Sequence, residues 1–179
     1  RRLEAVFNST FQLMALLKPD GRILEVNQAA LNFGGMTLSQ VQGKLAWKSS
    51  WWTTSKAVQQ KLRWAVVQAA RGKFIRYPTK ILGKQGATID IDFSLKPVKN
   101  ERGQVILLTA EGRDITENKK AEASLRESAQ EWQSTFDAVG DVVWLLSPEG
   151  RILRTNKAVL KVLGKRPVEV LGRRCCEVV

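Results

Sequence analysis

A chain of 179 residues with 44% hydrophobic and 26% charged side chains has the balance of a globular protein, and no run approaches the ~18 apolar residues of a membrane span. Its formal charge of +12 is concentrated at the front: residues 1–116 carry 18 basic and 8 acidic side chains, 117–133 carry 3 and 4, and 134–179 carry 8 and 5. Histidine is absent, which excludes a Ser-His-Asp triad, a His-ligated haem and a phosphoacceptor histidine within these residues; the adjacent Cys175 and Cys176 make neither a disulfide framework nor a zinc site.

Leu3, Val6, Phe7 and Phe11 have helical spacing and predict a short amphipathic helix from Leu3 to Phe11. The apolar runs Leu13 to Leu17 and Arg22 to Val26 flank Lys18-Pro19-Asp20-Gly21, which is hairpin chemistry. Asn27 stands where a helix N-cap belongs, Gly34-Gly35 ends that helix, and a second short one starts at Thr37. Trp47, Trp51 and Trp52 show neither period; large rings covering one edge of the core are the plainest account of them. After Ser55, a cap, Val58, Leu62, Ala65, Val66 and Ala69 form one apolar stripe that stops at Gly72. Three strands follow, Lys73 to Leu82, a run in which Ile89, Ile91, Phe93 and Leu95 alternate with Asp90, Asp92, Ser94 and Lys96, and Gln104 to Asp114. Asp90 and Asp92 read as a solvated edge. Strand sequence then passes directly into helical sequence at Asp114-Ile115-Thr116, where Asp114 or Thr116 can accept from the first free helical amides.

A shift of 129 positions aligns the chain with itself. Phe7, Leu16-Leu17, Pro19, Gly21-Arg22-Ile23-Leu24, Asn27, Ala29, Leu31, Gly35, Val41 and Gly43 recur as Phe136, Leu145-Leu146, Pro148, Gly150-Arg151-Ile152-Leu153, Asn156, Ala158, Leu160, Gly164, Val170 and Gly172, 14 identities in 50 ungapped pairs. Two copies of one domain are implied.

The Pro-Asp-Gly-Arg hairpin, the Asn-led helix, three closing strands and Gly112-Arg113-Asp114-Ile115-Thr116-Glu117, followed by Ala121-Glu122 and Leu125-Arg126-Glu127-Ser128, resemble a PAS domain of a bacterial signalling protein. On that resemblance residues 1–116 are a PAS domain, 117–133 a helical linker and 134–179 the N-terminal part of a second PAS domain. It implies an α+β fold, a five-stranded antiparallel sheet with helices on one face. It also implies sensing of a small ligand or partner, passed through Asp114, Ile115 and Thr116 and the exit helix to a kinase or cyclase domain elsewhere, as in a two-component histidine kinase. A non-sensing dimerisation module is the alternative. No catalytic or metal-binding residue is expected. The cofactor stays unnamed: without histidine no His-ligated haem is expected, and without cysteine in the helical region of the first copy no cysteinyl-flavin adduct.

A ligand would sit between the apolar sheet face of Ile89, Ile91 and Phe93 and the helices, with Trp51, Trp52, Phe74 and Tyr77 as wall residues and Arg76 or Arg113 available to an acidic group. In the linker, Leu125, Trp132 and Val139 repeat every seven residues with Ala121, Ala129 and Phe136 between them, a seam that predicts a homodimer by parallel helix pairing. Scattered basic residues, with no block of five, argue against nucleic acid as a partner. Cys175 and Cys176 read as buried apolar residues, and a cytoplasmic compartment is expected. The start at Arg1-Arg2 reads as an excised piece whose parent can still be membrane-anchored.

Overall fold

Turn chemistry sets the first pairing. Gly21 adopts φ +87° and donates its amide to Lys18 O at 2.8 Å, while Asp20 Oδ1 takes the Arg22 amide at 3.0 Å. The strands β1 (Leu13–Leu17) and β2 (Ile23–Val26) therefore pair antiparallel. The computed structural model describes residues 2–178, which divide into two units, Arg1–Lys119 and Lys120–Val179.

In the first unit α1 (Arg2–Ser9) stops earlier than the periodicity predicts. Thr10 Oγ1 accepts the Gln12 amide at 3.0 Å, turning the chain and leaving Phe11 exposed. Asn27 caps α2 (Gln28–Gly34) by accepting from Ala30 N, and left-handed Gly35 ends it. After α3 (Leu38–Val41), the tryptophan stretch folds as two 3-10 turns, Ala46–Lys48 and Ser50–Trp52, which explains its lack of either period. Ser55 caps α4 (Lys56–Ala70), whose buried face is Leu62, Ala65, Val66 and Ala69. Strand β3 (Ile75–Leu82) starts two residues later than expected because Lys73 N still closes α4 by donating to Gln68 O at 3.2 Å. Then come β4 (Thr88–Lys99) and β5 (Val105–Asp114).

The sheet order is β2-β1-β5-β4-β3 with every pair antiparallel. The last strand thus sits at the centre, and Leu108 on it is fully buried. One face of the sheet carries the core, in which Leu17, Leu62, Ile91, Phe93 and Leu95 pack together. The fold is α+β, a five-stranded antiparallel sheet with helices on one face.

Helix α5 (Thr116–Ala138) follows β5 after a single residue and runs for 23 residues, roughly 35 Å at 1.5 Å per residue, with none buried. It extends past the 117–133 segment expected for the linker. In the second unit β6 (Trp144–Leu146) and β7 (Ile152–Thr155) form a hairpin, followed by α6 (Ala158–Leu163), α7 (Pro167–Val170) and a 3-10 turn, Cys175–Glu177. Ile152, Val159, Val170 and Val178 are its core. Only Cys175 packs against that core; Cys176 is exposed, so the reading of both as buried is corrected.

The repeat is repeated in hydrogen bonds as well as in letters. Arg22 Nη1 donates to Gly43 O and Arg151 Nη1 to Gly172 O, each at 2.9 Å. Asn27 Oδ1 accepts from Met14 N at 3.0 Å, and Asn156 Oδ1 from Val143 N at 3.1 Å. Asn8 Oδ1 takes the Gln28 amide and Asp137 Oδ1 the Lys157 amide.

Candidate functional site

The inner face of the sheet is lined by alternate residues of β1, β5 and β4, and it tapers at Ala110 and Gly112, where side chains are small or missing. Opposite stand Ala46, Trp51, Trp52 and Leu62. Between them lies an apolar cavity of about 60 Å³, bounded also by Leu13, Ala15, Leu17, Ile91 and Phe93. It is well below the roughly 300–1,000 Å³ of sites for drug-sized ligands. Its aromatic wall is ordered edge to face: Trp52 meets Phe93 at 4.9 Å and 76°, and Tyr77 meets Phe93 at 5.4 Å and 61°. Two polar atoms in this buried region, Trp51 Nε1 and Tyr77 Oη, have no hydrogen-bond partner among the described residues. Burial raises the Tyr77 phenol above its ordinary pKa. Trp51 lies so close over α2 that a Cβ on Gly34 would stand 2.4 Å from its Nε1, so the ring and that glycine are matched.

Of the residues expected at a pocket, Trp51, Trp52, Ile91 and Phe93 come together around the cavity. Tyr77 is on the same face but packs behind Phe93 and does not reach the cavity surface, and Ile89 packs partly buried at the margin of the core. Phe74, Arg76 and Arg113 do not belong to it. They lie on the opposite face of the sheet in a polar groove with Gln12, Asp92, Ser94, Lys96 and Glu111, and Phe74 is exposed. Parity is the reason: Tyr77 and Gly112 point inward, so their neighbours Arg76 and Arg113 point outward. Leu13, Leu62, Ala110 and Gly112 are wall residues that sequence reading did not single out. The alternation Leu108, Ala110, Gly112 was the available signal.

On the outer face the Arg76 guanidinium donates to both carboxylate oxygens of its near-opposite neighbour Asp92 and holds that carboxyl below the usual range. Lys119 Nζ does the same for Asp90, donating to Oδ1 at 2.7 Å.

The strand-to-helix junction is built on β4 and β5, which pair Ile91 with Asp114. Asp114 Oδ1 accepts from Thr116 N at 2.8 Å, and Ile115 N donates to Asp90 O at 2.9 Å, so two amides that the helix start leaves free are satisfied. Thr116 does not cap the helix; its Oγ1 accepts from Asp90 N across the strands at 3.0 Å.

An antiparallel five-stranded sheet, helices over one face, an apolar cavity between them and an exit helix rooted on two of the strands that wall the cavity define a small α+β domain. Two family profiles agree: one described as PAS fold matches residues 7–120, and one described as PAS domain matches residues 140–179. The chain belongs to the PAS family. It is 44% identical over 122 residues to the sensor histidine kinase TmoS of Ectopseudomonas mendocina, a match covering 67% of this chain and 12% of that protein. It is 36% identical over 185 residues to hybrid signal transduction histidine kinase D of Dictyostelium discoideum, covering 97% of this chain and again 12% of the relative. Among solved structures, the PAS domain of BvgS from Bordetella pertussis superposes with a TM-score of 0.55 at 18% identity over 73% of this chain and 96% of that one, a likeness of fold. Among the described residues no group of three or more Cys, Asp or Glu side chains could hold a metal ion, and no helix is long and apolar enough to cross a membrane.

Proposed function

We propose that the chain is the sensory, non-enzymatic part of a longer signalling protein, a histidine kinase on the pattern of its relatives. The first unit takes a small, largely apolar ligand into its cavity and relays the change through α5 toward a downstream kinase domain. One observation carries this reading: β4 builds both ends of the relay, with Ile91 and Phe93 on the cavity wall and Asp90 bonded to the start of α5. The apolar wall and the small volume favour a compact, largely apolar ligand. No cysteine lies on that wall, so the ligand would be held without a cysteinyl bond. Anything larger than a few heavy atoms requires the Trp51-Trp52 segment to move outward. A cytoplasmic setting belongs to this reading and accords with two adjacent free thiols.

Native mass spectrometry of the purified chain tests it. A co-purified small molecule that is lost in Phe93→Ala and Trp52→Ala is the expected result. An empty chain whose tryptophan fluorescence is unmoved by both substitutions overturns the cavity reading, and autophosphorylation or nucleotide turnover by the chain overturns the non-enzymatic one.

The assembly reading rests on α5 and the residue that follows it, where Leu125 is 72% exposed and Trp132 and Val139, seven and fourteen residues further on, are exposed as well. Part of this seam is used within the second unit, where Trp132 stacks on Phe136 at 4.8 Å and Arg154 lies 4.9 Å over its ring. Parallel pairing of α5 with a second copy covers the remainder. Light scattering on the chain and on the Leu125→Asp, Trp132→Asp double variant decides this: a dimer that the variant dissociates is expected, and a monomeric parent contradicts it.

A further inference from the structure

Asp90 has the look of a solvated acid on the polar face of β4, yet all of its polar groups are engaged, chiefly by one short segment. Its amide donates to Thr116 Oγ1 at 3.0 Å, its carbonyl accepts from Ile115 N at 2.9 Å, and its carboxylate accepts from Lys119 Nζ at 2.7 Å. The other carboxylate oxygen lies 3.8 Å from Lys80 Nζ on β3. Ile115, Thr116 and Lys119 are the residue before α5 and the first turn of α5 itself.

We propose that Asp90 is the positioning residue of the exit helix. Its two backbone bonds fix the height of the helix start against the sheet, and the ion pair with Lys119 fixes the rotation of the first turn, because a side chain one turn in can meet Asp90 at only one angle about the helix axis. Its neighbour Ile91 is buried on the cavity wall, with Cδ1 only 3.1 Å from where a Cβ on Gly112 would stand. Packing that tight moves as a body. An occupant that pushes Ile91 therefore displaces Asp90, and the first turn of α5 turns with it. The proposal rests on α5 being the output of the domain, but the clamp itself requires no ligand.

Amide hydrogen exchange on the 179-residue chain tests it, with Asp90→Asn, Lys119→Gln, the double variant and Lys119→Arg. The pair is part-exposed, Lys119 at 47% and Asp90 at 19%, so each neutralising variant is expected to speed exchange over residues 117–123 by about fivefold, with the double variant no faster than either single one. Lys119→Arg restores protection, and the amides of Leu95 and Leu108 at the sheet centre keep their rates. Additive effects of the two substitutions, no effect of either, or an equal loosening of Leu95 and Leu108 overturns the proposal. A clamp that behaves as expected in a chain that co-purifies no small molecule counts against the sensing reading and leaves the clamp standing.

Discussion

The two units carry the same 50-residue pattern in different company, and identical letters meet different fates. Ile23 and Ile152, Val41 and Val170, and the capping Asn27 and Asn156 are buried in both. Leu17 is 1% exposed but its counterpart Leu146 is 45% exposed, and Leu31 at 8% corresponds to Leu160 at 54%. Residues of the first group pack within the hairpin and its own helices. Those of the second group need the elements that only the first unit has among the described residues: β1 pairs with β5 as well as β2, whereas β6 pairs with β7 alone. The hairpin-helix frame is therefore encoded locally, and the cavity, of which Leu17 is a wall, is a product of long-range closure.

The largest expected effect breaks that symmetry directly. Leu17→Ala should destabilise the first unit by about 4 kcal/mol, while Leu146→Ala costs the second about 0.5 kcal/mol, read from urea unfolding of the chain. Next comes the shared frame. Asn27 makes four side-chain hydrogen bonds, to Met14 N, Ala30 N, Phe7 O and Gln12 O. Asn156 makes three, to Val143 N, Val139 O and Asp141 O. Asn27→Ala should cost about 3 kcal/mol and Asn156→Ala about 2 kcal/mol, each in its own unit; a large asymmetry would mean that the frame is not local.

The hairpin glycines sharpen the same point. Gly21 and Gly150 share a left-handed φ, but a Cβ on Gly21 would stand 2.3 Å from the Trp47 ring, whereas one on Gly150 meets nothing within 4 Å. Gly150→Ala should cost about 1 kcal/mol of strain and Gly21→Ala about 2 kcal/mol more, compared as thermal midpoints.

The smallest effect is in acid. Hydrogen bonds from Lys119 and Arg76 hold Asp90 and Asp92 below their ordinary pKa in the first unit, and those from Gln133 and then Lys157 do so for Asp137 in the second. A depressed folded pKa means stabilisation that is complete above the unfolded value, near pH 4, and lost as pH falls through the folded one. Thermal midpoints should be level from pH 5 to 8, where no histidine titrates, and fall below about pH 4. Asp90→Asn should flatten that fall in the first unit only.

How far the sequence disclosed this is set by the range of each interaction. The Pro19-Gly21 turn, the Asn27 and Ser55 caps and the alternation in β4 are decided by residues within a turn of one another and were readable. Arg76 and Arg113 were misplaced because side chains alternate between the two faces of a strand and these two stand next to the inward Tyr77 and Gly112, while Phe74 precedes β3 and shares the parity of Arg76. The clamp at Asp90 joins residues 26 and 29 positions apart, so no local pattern announces it. The same holds for β5 inserting between β1 and β4, which creates the cavity.

The central claim is that the cavity and the exit helix are joined through β4. Gly112→Ala probes it without touching the helix, since the added methyl crowds Ile91 Cδ1 at 3.1 Å and Leu13 Cβ at 3.6 Å. Hydrogen exchange should then change over residues 117–123 and stay constant at Ile152 and Val159 in the second unit. Unchanged exchange in the first two turns of α5, in a variant whose cavity lining has demonstrably shifted, would contradict the account.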